Sequence, residues 1–352
     1  MKRVRYAVDG SWYPITLRSD YNLGKKLLDS PDIQPYNCCM ESAITAPTSL
    51  MEAIRRFSDP ETCVRFMARL RWADEPICPR CESKHSSFLK TRLMWKCLDC
   101  QKQFSVKVGT IFEDSAIGLD KWLCAMWLIA NCKNGVSSYE IAKDIKVTQK
   151  SAWFMLHRIR YAMRTGTFVK LSGEIEIDES FIGGKARNMH RAKRAKKITG
   201  TGGKDKTVVM GMVERGGEVR AFVVGNRKKH ELQKQVREHV EAGAAIFTDE
   251  LKSYDGLEND FEHAVINHAV EYVNGNVHTN TMENFWSLLK RDLHGTYVSV
   301  EPFHLARYID EQAFRYNKRQ TTDADRFVQL CSMVSGKRLT WNEVTGKHSV
   351  DG

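Results

Sequence analysis

The sequence lacks any apolar run long enough to cross a lipid bilayer. Its longest largely apolar run, WLCAMWLIANC at 122–132, is far shorter than the roughly 20 residues that a spanning helix needs. This run suits a buried core helix instead. The basic N-terminus is not followed by the apolar segment of a secretory signal, and the chain shows no internal repeat. These absences predict a cytoplasmic protein with no membrane span.

The chain also lacks the composition of a disordered protein. Hydrophobic residues make up 42% of its 352 residues and charged residues 28%, which is ordinary for a globular chain of about two or three domains. Lys and Arg number 54 against 43 Asp and Glu, a net charge of +11. This balance favours a polyanionic partner such as nucleic acid, although a merely basic protein would show it too.

Four of the ten cysteines occur in two closely spaced pairs. The segments CPRC and CLDC place Cys78, Cys81, Cys97 and Cys100 at the spacing with which two turns close a tetrahedral thiolate site around zinc. Few large apolar side chains surround them, so metal binding would supply much of the local folding free energy. Four thiolates leave no open coordination position, which predicts structural zinc. The alternative is four buried cysteines without metal.

Periodicity and turn residues predict a multi-domain α+β fold. Two short helices are expected before the paired cysteines, the second capped by Ser58 or Asp59 with Pro60 at its first position. Met40 is a candidate start of the native protein. The predicted segments are an extension of unknown structure (1–39), N-terminal helices (40–75), a zinc ribbon (76–108), a helix-turn-helix region (109–170), an α/β domain (171–320) with a mobile basic loop (185–206), and a C-terminal tail (321–352).

Two short helices after the ribbon predict a helix-turn-helix. Ser137 and Glu140 form a capping box that opens the first helix, and Thr148 starts the second after a tight turn. The second helix of this motif enters the DNA major groove. Two amphipathic helices joined by a tight turn also occur in simple packing. The residues expected to face the groove are Gln149, Lys150, Ser151 and the further candidate Phe154, and those expected near phosphates are Arg158 and Arg160.

Carboxylates recur in the predicted strand GEIEIDESFIGG. Glu174, Glu176 and Asp178 share one face of it, and Ile175 and Ile177 share the other. Three like charges on one face repel one another unless a cation lies beside them. A solvated strand edge is the alternative interpretation of this stretch.

The following segments predict a ribonuclease H-like order of elements. A hairpin turning at Gly216 and Gly217 is followed by a helix at about 228–242 and by an apolar strand that ends at Asp249 in GAAIFTDELKSY. Open α/β sheets place ligand groups at the carboxyl ends of their strands. Asp249 is therefore a candidate site residue.

A later amphipathic helix lies in HTNTMENFWSLLKRDL. Glu283 and Lys290 are seven residues apart, close to two turns, so their side chains point the same way. Glu283 also has a structural interpretation, because Asn280 and Glu283, three residues apart, nearly form a capping box in which Glu283 would accept a free backbone N–H. The apolar stripe expected to pack on the sheet comprises Met282, Phe285, Trp286, Leu289 and Leu293.

Together these segments make the chain resemble a DDE transposase of bacterial insertion sequences, in the ISXO-two-like group that joins a zinc ribbon to a ribonuclease H-like domain. The likeness extends over about 49–319, through FSDPETCVRFMARLRW, CPRC, CLDC, IDESFIGG, FTDELKSY, HTNTMENFWSLLKR and FRYNKR. The resemblance implies that the last of these domains is catalytic, with Asp178, Asp249 and Glu283 as its triad. Lys290 would be the basic residue that follows the Glu.

The resemblance also implies chemistry and partners. Three carboxylates would hold two Mg2+ or Mn2+ ions for cleavage at a transposon end and for attack of the freed 3′-OH on target DNA. Asn280 and Asn284 remain alternatives to Glu283. The implied partners are double-stranded DNA, as terminal inverted repeats and target, and at least a second copy of the chain, at the bacterial nucleoid. The residues expected to act at DNA are Gln149, Lys150, Ser151, Arg158, Arg191, Lys193, Arg194, Lys290 and Arg291.

Other functions share parts of this pattern. A domesticated, catalytically inactive zinc-ribbon regulator would keep the DNA-binding half without needing the triad. A ribonuclease H-like nuclease or resolvase would use the same metals but would not need two DNA-binding modules. Strand-transfer products distinguish a transposase from both. Lys185, His268 and His278 are further candidates for DNA contact, the two histidines also for packing.

Overall fold

The computed structural model describes the chain in separate ranges. These ranges are 5–8, 11–14, 46–72, 74–164, 169–184, 189–198, 206–266 and 279–347. Residues Met1–Thr45 and Ala46–Gly352 form two separate units. In the first unit β1 (Arg5–Val8) pairs antiparallel with β2 (Ser11–Pro14), in a segment for which the sequence indicated no structure.

Two helices open the second unit, as the sequence predicted. α1 (Leu50–Arg56) begins after Ser49, whose hydroxyl accepts a backbone N–H of the first turn. α2 (Pro60–Arg71) begins after Asp59, so Asp59 is the cap. The carboxylate cap and the proline at the first position both suit a helix start, since neither leaves an N–H without an acceptor.

A three-stranded antiparallel sheet carries the paired cysteines. Its strands are β3 (Ser86–Leu89), β4 (Met94–Cys97) and β5 (Gln103–Phe104). Trp95 of β4 is buried and packs edge-on against Trp72, directly after α2, with 5.3 Å between ring centroids. The small sheet is therefore attached to the N-terminal helices by aromatic packing.

Three helices fill the middle of the chain. The apolar run at 122–132 forms a buried core helix, as predicted. The expected capping box is present, because the Ser137 hydroxyl accepts the N–H of Glu140 and the Glu140 carboxylate accepts the N–H of Ser137. Thr148 caps the last of these helices. They are α3 (Leu119–Asn131), α4 (Ser138–Asp144) and α5 (Gln149–Met163).

A five-stranded mixed sheet forms the centre of the α/β domain. Its strands are β6 (Glu174–Ile182), β7 (Thr207–Glu214), β8 (Val219–Val224), β9 (Ala245–Asp249) and β10 (Glu262–Ile266). In space they run β10, β9, β6, β7, β8. The pairs β6–β7 and β7–β8 are antiparallel, whereas β9 is parallel to both β6 and β10.

Helices cover both faces of this sheet. Within the basic segment 185–206, which was expected to be a loop, one stretch is helical. The remaining helices alternate with the later strands along the chain, as the sequence predicted. The helix within the basic segment is α6 (Arg191–Lys197). The helices on the sheet are α7 (Lys229–His239), α8 (Asn280–Gly295) and α9 (Leu305–Asn317).

The alternation of apolar and polar residues in β6 directs its two faces toward different helices. Ile175 and Ile177 are fully buried in a core with Leu232 of α7. On the other face, Val209 of β7 packs in a second core with Phe285 of α8 and with residues of α9. The sheet is thus the middle layer, and α8 lies against the face that carries Asp178.

The segment 321–352, expected as a tail, contains two helices that return to the N-terminal half. α10 (Asp323–Ser332) places Phe327 against the rings of Phe57, Phe66 and Trp127, with centroid distances of 5.2–5.9 Å. α11 (Trp341–Thr345) packs against α5. The two ends of the second unit therefore share one core.

A buried ionic cluster connects α5 to α8 and α9. Arg160 of α5 is 1% exposed, and its Nε lies 2.6 Å from Oε2 of Glu311 of α9. Arg315 also binds Glu311 and contacts Asp292 of α8 at 2.5 Å. The Tyr297 hydroxyl donates to Glu311 at 2.5 Å. Since buried charges are costly without partners, each of these helices depends on the others for its place.

Among the residues that the structure describes, no helix has both the length and the apolar character to cross a membrane.

Candidate active site and zinc centre

The four paired cysteines converge at one end of the ribbon. Their sulfur atoms all lie within 4.8 Å of one another. Cys78 and Cys100 are 3.7 Å apart between sulfurs, and Cys81 and Cys97 are 3.6 Å apart. Tetrahedral zinc with bonds of about 2.3 Å has sulfur–sulfur edges of about 3.8 Å. The cluster is therefore compatible with structural zinc, as the sequence predicted.

The backbone around these cysteines favours the thiolate form that zinc requires. The N–H of Cys100 points at Sγ of Cys97 with an N–S distance of 3.5 Å. This hydrogen bond is the main cause that lowers the pKa of Cys97 below the usual value of a thiol. The turn within the second cysteine pair thus favours the ionised form of Cys97 that would bind zinc.

Two of the three carboxylates on the polar face of β6 form ion pairs with one arginine. Arg215 places Nε 2.9 Å from Oε1 of Glu176 and Nη1 3.0 Å from Oε2 of Glu174. Glu176 is fully buried and also accepts the N–H of Met282 at 2.9 Å and the hydroxyl of Thr281 at 2.9 Å. Glu176 therefore anchors the start of α8 on β6, which positions that helix beside Asp178.

The third carboxylate, Asp178, is oriented by two donors. Its Oδ1 accepts the N–H of Glu179 at 2.8 Å, and its Oδ2 accepts the indole N–H of Trp286 at 3.0 Å. Burial is the main reason that the pKa of Asp178 is raised to about 6, and the charges of Asp249 and Glu283 contribute to the increase. Asp249 and Glu283, the other two residues of the predicted triad, thus lie near enough to Asp178 for their charges to act on its carboxyl group.

Asp249 and Glu283 reach this region from different elements. Asp249 ends β9, and its Oδ1 accepts the N–H of Leu251 at 3.1 Å. Glu283 is exposed in the first turn of α8. That helix starts after Thr279, which puts Glu283 one residue too late for a capping box, and no described side chain caps it. The capping-box interpretation of Glu283 is therefore wrong.

The carboxylates are more widely spaced than the sulfurs. Within the described ranges, the four cysteines are the one set of three or more potential ligands whose donor atoms all lie within 4.8 Å. Asp178, Asp249 and Glu283 do not form so tight a set. Their donors are carboxylate oxygens, which suit Mg2+ or Mn2+ better than the thiolates of the cysteine cluster do.

Two further residues belong to this site, and the sequence analysis missed both. Burial, with the charges of Asp249 and Asp178, raises the pKa of Glu179 to about 8. The hydroxyl of Tyr254, which is 1% exposed, donates to Oε1 of Glu179. The only sequence signal for them was their nearness to the two aspartates along the chain.

Comparison with known proteins assigns the chain to a family. Residues 170–317 match the family described as ISXO2-like transposase domain, and residues 58–103 match the transposase zinc-ribbon domain. An uncharacterized transposase-like protein of Haemophilus influenzae is 30% identical over 104 residues, which cover 29% of this chain and 84% of that protein. The chain belongs to the ISXO2-like transposase family.

A second relative supports the assignment over a longer stretch. An uncharacterized protein in transposable element ISH50 of Halobacterium salinarum is 27% identical over 255 residues. The alignment covers 68% of this transposase-family chain and 85% of that protein.

In this member of the ISXO2-like transposases, two predicted phosphate contacts are buried. Arg158 is 4% exposed, and its guanidinium donates to three backbone carbonyls at 2.8–2.9 Å. Arg160 is 1% exposed and paired with Glu311. The predictions that Arg158 and Arg160 contact DNA are wrong, because their donors bind groups inside the protein.

The other predicted DNA contacts lie at or near the surface. Lys150 is exposed, with its ammonium 4.7 Å from the ring centroid of Trp341. Gln149 is half-buried and donates to the Ser138 hydroxyl at 2.9 Å, and Ser151 is half-buried. The exposed group further comprises Arg191, Arg194, Lys290 and Arg291. The Lys193 side chain, Lys185, His268 and His278 lie outside the described residues.

Proposed function

We propose that this protein is a DDE-type transposase that binds the terminal inverted repeats of an insertion sequence, cleaves DNA there and joins the freed end to target DNA. The observation that carries the proposal is that Asp249, at the end of β9, and Glu283, on α8, lie near enough to the buried Asp178 of β6 for their charges to raise its pKa. A regulator that only binds DNA would have no use for such a costly cluster of acids.

The order of strands supports a ribonuclease H-like catalytic domain. Three antiparallel strands, β6 to β8, come first, and two parallel strands then extend the sheet from the other edge of β6. Asp178 lies on the first strand and Asp249 at the carboxyl end of the fourth, where open α/β sheets place ligand groups.

The acids fit divalent cations in charge and in donor type. Asp178 is ionised near neutral pH against the cost of burial, which a cation beside it would offset. Asp178, Asp249 and Glu283 would hold two Mg2+ or Mn2+ ions. When bound, such a pair activates the attacking oxygen and stabilises the leaving oxygen of an in-line phosphoryl transfer.

The protein's own groups prepare this site. The Trp286 indole and the Glu179 N–H fix both oxygens of Asp178, and the Leu251 N–H fixes one oxygen of Asp249. Lys290, exposed two turns after Glu283 on α8, would contact a phosphate near the scissile bond as a point charge.

The N-terminal half would supply DNA recognition. We assign α4 and α5 to a helix-turn-helix, with Lys150 and Ser151 at the start of α5 facing the groove. The zinc ribbon would hold an adjacent stretch of the repeat. Because two transposon ends must be paired, the active form would contain at least two copies of the chain, acting at the nucleoid in the cytoplasm.

The decisive test is cleavage of a labelled terminal inverted repeat in Mg2+. The wild-type protein is compared with Glu283→Gln at matched folding and DNA occupancy, and Glu241→Gln serves as a control at an exposed position away from the acids. We expect cleavage and strand transfer by wild type and control, and none by Glu283→Gln.

Two results would contradict the proposal. DNA binding by the wild type without cleavage would favour an inactive regulator. Equal cleavage by Glu283→Gln would remove Glu283 from the triad and direct the search to Asn280 or Asn284.

A further inference from the structure

The ladder of backbone hydrogen bonds between β6 and β9 ends before it reaches the two aspartates. Its last pair is Glu176 with Phe247, although β6 continues to Ile182 and β9 to Asp249. Two more steps in the same register would bring Asp178 opposite Asp249. Main-chain pairing between β6 and β9 therefore stops two residues short of these two carboxylates.

The chain turns back directly after Asp249. The N–H of Leu251 binds the Asp249 carboxylate at 3.1 Å, and the N–H of Tyr254 binds the carbonyl of Leu251 at 2.9 Å. This short 3-10 turn, Lys252–Tyr254, returns the Tyr254 side chain to the sheet, where it is 1% exposed. Its hydroxyl donates to Glu179, the residue after Asp178.

Asp178 and Glu179 are held from opposite sides of the sheet. Neighbouring residues of a strand point to opposite faces, so Asp178 faces Trp286 of α8 while Glu179 faces Tyr254 in the α7 layer. The Tyr254–Glu179 bond thus ties the turn after Asp249 to the strand carrying Asp178, at the level where the ladder has ended.

The same turn has a second anchor. Gln233 of α7, 4% exposed, donates from Nε2 to the carbonyls of Ser253 and Asp255 at 3.1 and 2.9 Å. This anchor fixes the turn to α7 but not to β6. Beyond the end of the ladder, the Tyr254–Glu179 bond links this turn to β6 and so bears on the distance between the two aspartates.

We propose that Tyr254 and Glu179 are positioning residues that hold Asp249 at the distance from Asp178 that a divalent cation requires. They are not themselves ligands of the cation. The proposal rests on the proposed function, since it deepens the role of the same site. Outer partners that orient metal ligands commonly change metal affinity about 10- to 100-fold when they are removed.

The test measures Mn2+ binding through the rise in melting temperature that the ion causes, without any turnover. Tyr254→Phe removes only the donor. The matched control is Tyr297→Phe, which removes another tyrosine hydroxyl that donates to a buried glutamate, Glu311, in a different core. We expect Tyr254→Phe to need about 10-fold more Mn2+ for the half-maximal rise, and Tyr297→Phe to lower the melting temperature without changing the Mn2+ requirement.

Substitutions of Glu179 separate positioning from ligation. Glu179→Gln keeps an oxygen that can accept the tyrosine hydroxyl, so we expect it to bind Mn2+ almost as wild type does, whereas Glu179→Ala should match Tyr254→Phe. Cleavage by Tyr254→Phe should recover toward the wild-type rate at saturating Mn2+. A wild-type Mn2+ requirement in Tyr254→Phe, or loss of Mn2+ binding in Glu179→Gln, would overturn the proposal.

Failure of this inference is distinguishable from failure of the proposed function. The proposed function requires the wild-type protein to be stabilised by Mn2+ and to cleave DNA, and requires Asp178→Asn to lose both. If the wild type shows neither effect, the transposase proposal fails. If the wild type shows both and Tyr254→Phe is indistinguishable from it, only the positioning role fails.

Discussion

Gly211 of β7 lies directly opposite Asp178 of β6 in the sheet. A methyl group on Gly211 would come within 2.7 Å of the Trp286 ring and would also collide with the Met282 side chain. The absence of a side chain at this position lets α8 approach the sheet closely. The close approach in turn brings the Trp286 indole within hydrogen-bonding distance of Asp178.

Gly211→Ala is therefore expected to displace Trp286 and weaken its bond to Asp178. Overpacking of this kind costs about 1–3 kcal/mol of unfolding free energy, and we expect DNA cleavage to fall while DNA binding is retained. Urea unfolding and the cleavage assay measure the two effects. Gly225→Ala is the control, because nothing lies within 4 Å of a methyl group there. Equal behaviour of the two variants would refute the close-approach argument.

Asp178→Asn is expected to separate stability from activity. The pKa of Asp178 is raised from 3.8 to about 6, so the ionised form costs folding free energy near pH 7. A pKa difference of this size corresponds to at most about 3 kcal/mol, and one lost acceptor reduces the gain to about 1 kcal/mol. In chelator the variant should therefore be the more stable protein, with no cleavage in Mg2+ and DNA binding within a few fold. A less stable variant would contradict the cost of burial.

The sequence predicted elements whose signals are local. Both caps before α2 and α4, the two cysteine pairs and the strand ending at Asp249 depend on residues within a few positions of one another. In each case the interacting residues belong to the same turn or the same strand. Local pattern therefore located most elements and the residues proposed for the site.

Contacts between distant segments were not predictable in the same way. Arg158 and Arg160 occur on an amphipathic helix of a basic protein. No neighbouring residue in the sequence indicates that the carbonyl of Leu339 accepts from Arg158 or that the carboxylate of Glu311 accepts from Arg160. Arg215 likewise supplies the cation for Glu176 from the turn after β7. These partners are set by tertiary packing, which one sequence without relatives does not display.

Removal of zinc is expected to loosen the ribbon and its contact with α2. We expect the wild type to bind one zinc ion per chain, measured by atomic absorption, and Cys97→Ser to lose it. The substitution should also reduce the near-ultraviolet circular dichroism of the Trp72–Trp95 pair. Cys124→Ser, outside the cluster, should retain the metal. Full zinc content in Cys97→Ser would show that the four sulfurs are not the site.

Phe327→Ala is expected to destabilise the N-terminal helices although it lies near the other end of the chain. Its fully buried ring contacts Phe57, Phe66 and Trp127. Removing such a ring typically costs about 3–5 kcal/mol of unfolding free energy. Chemical denaturation measures the loss, and Phe303→Ala, whose side chain is exposed, should change stability little. Comparable stabilities would mean that α10 is dispensable for this core.

Stability should fall with rising pH in part through Asp310. Burial raises the pKa of Asp310 from 3.8 to about 6, so between these values the folded protein binds the proton more tightly than the unfolded chain. Unfolding free energy then decreases as pH rises through this window. Asp310→Asn removes the dependence, and its advantage over wild type should grow from pH 5 to pH 7 by about 1 kcal/mol. A constant difference across urea titrations at both pH values would exclude this linkage.

The pairing of Arg160 with Glu311 has a consequence for the distance along DNA between the recognised bases and the cut. α5 and α9 cannot swing apart without leaving the buried Arg160 guanidinium without its carboxylate partner. If the start of α5 contacts bases within a terminal repeat, the buried contacts between α5 and the catalytic domain fix the number of base pairs from those bases to the cleaved phosphate. Inserting one base pair between the two points would then harm cleavage more than exchanging a base there, because the phosphate would be carried around the duplex and away from the acids.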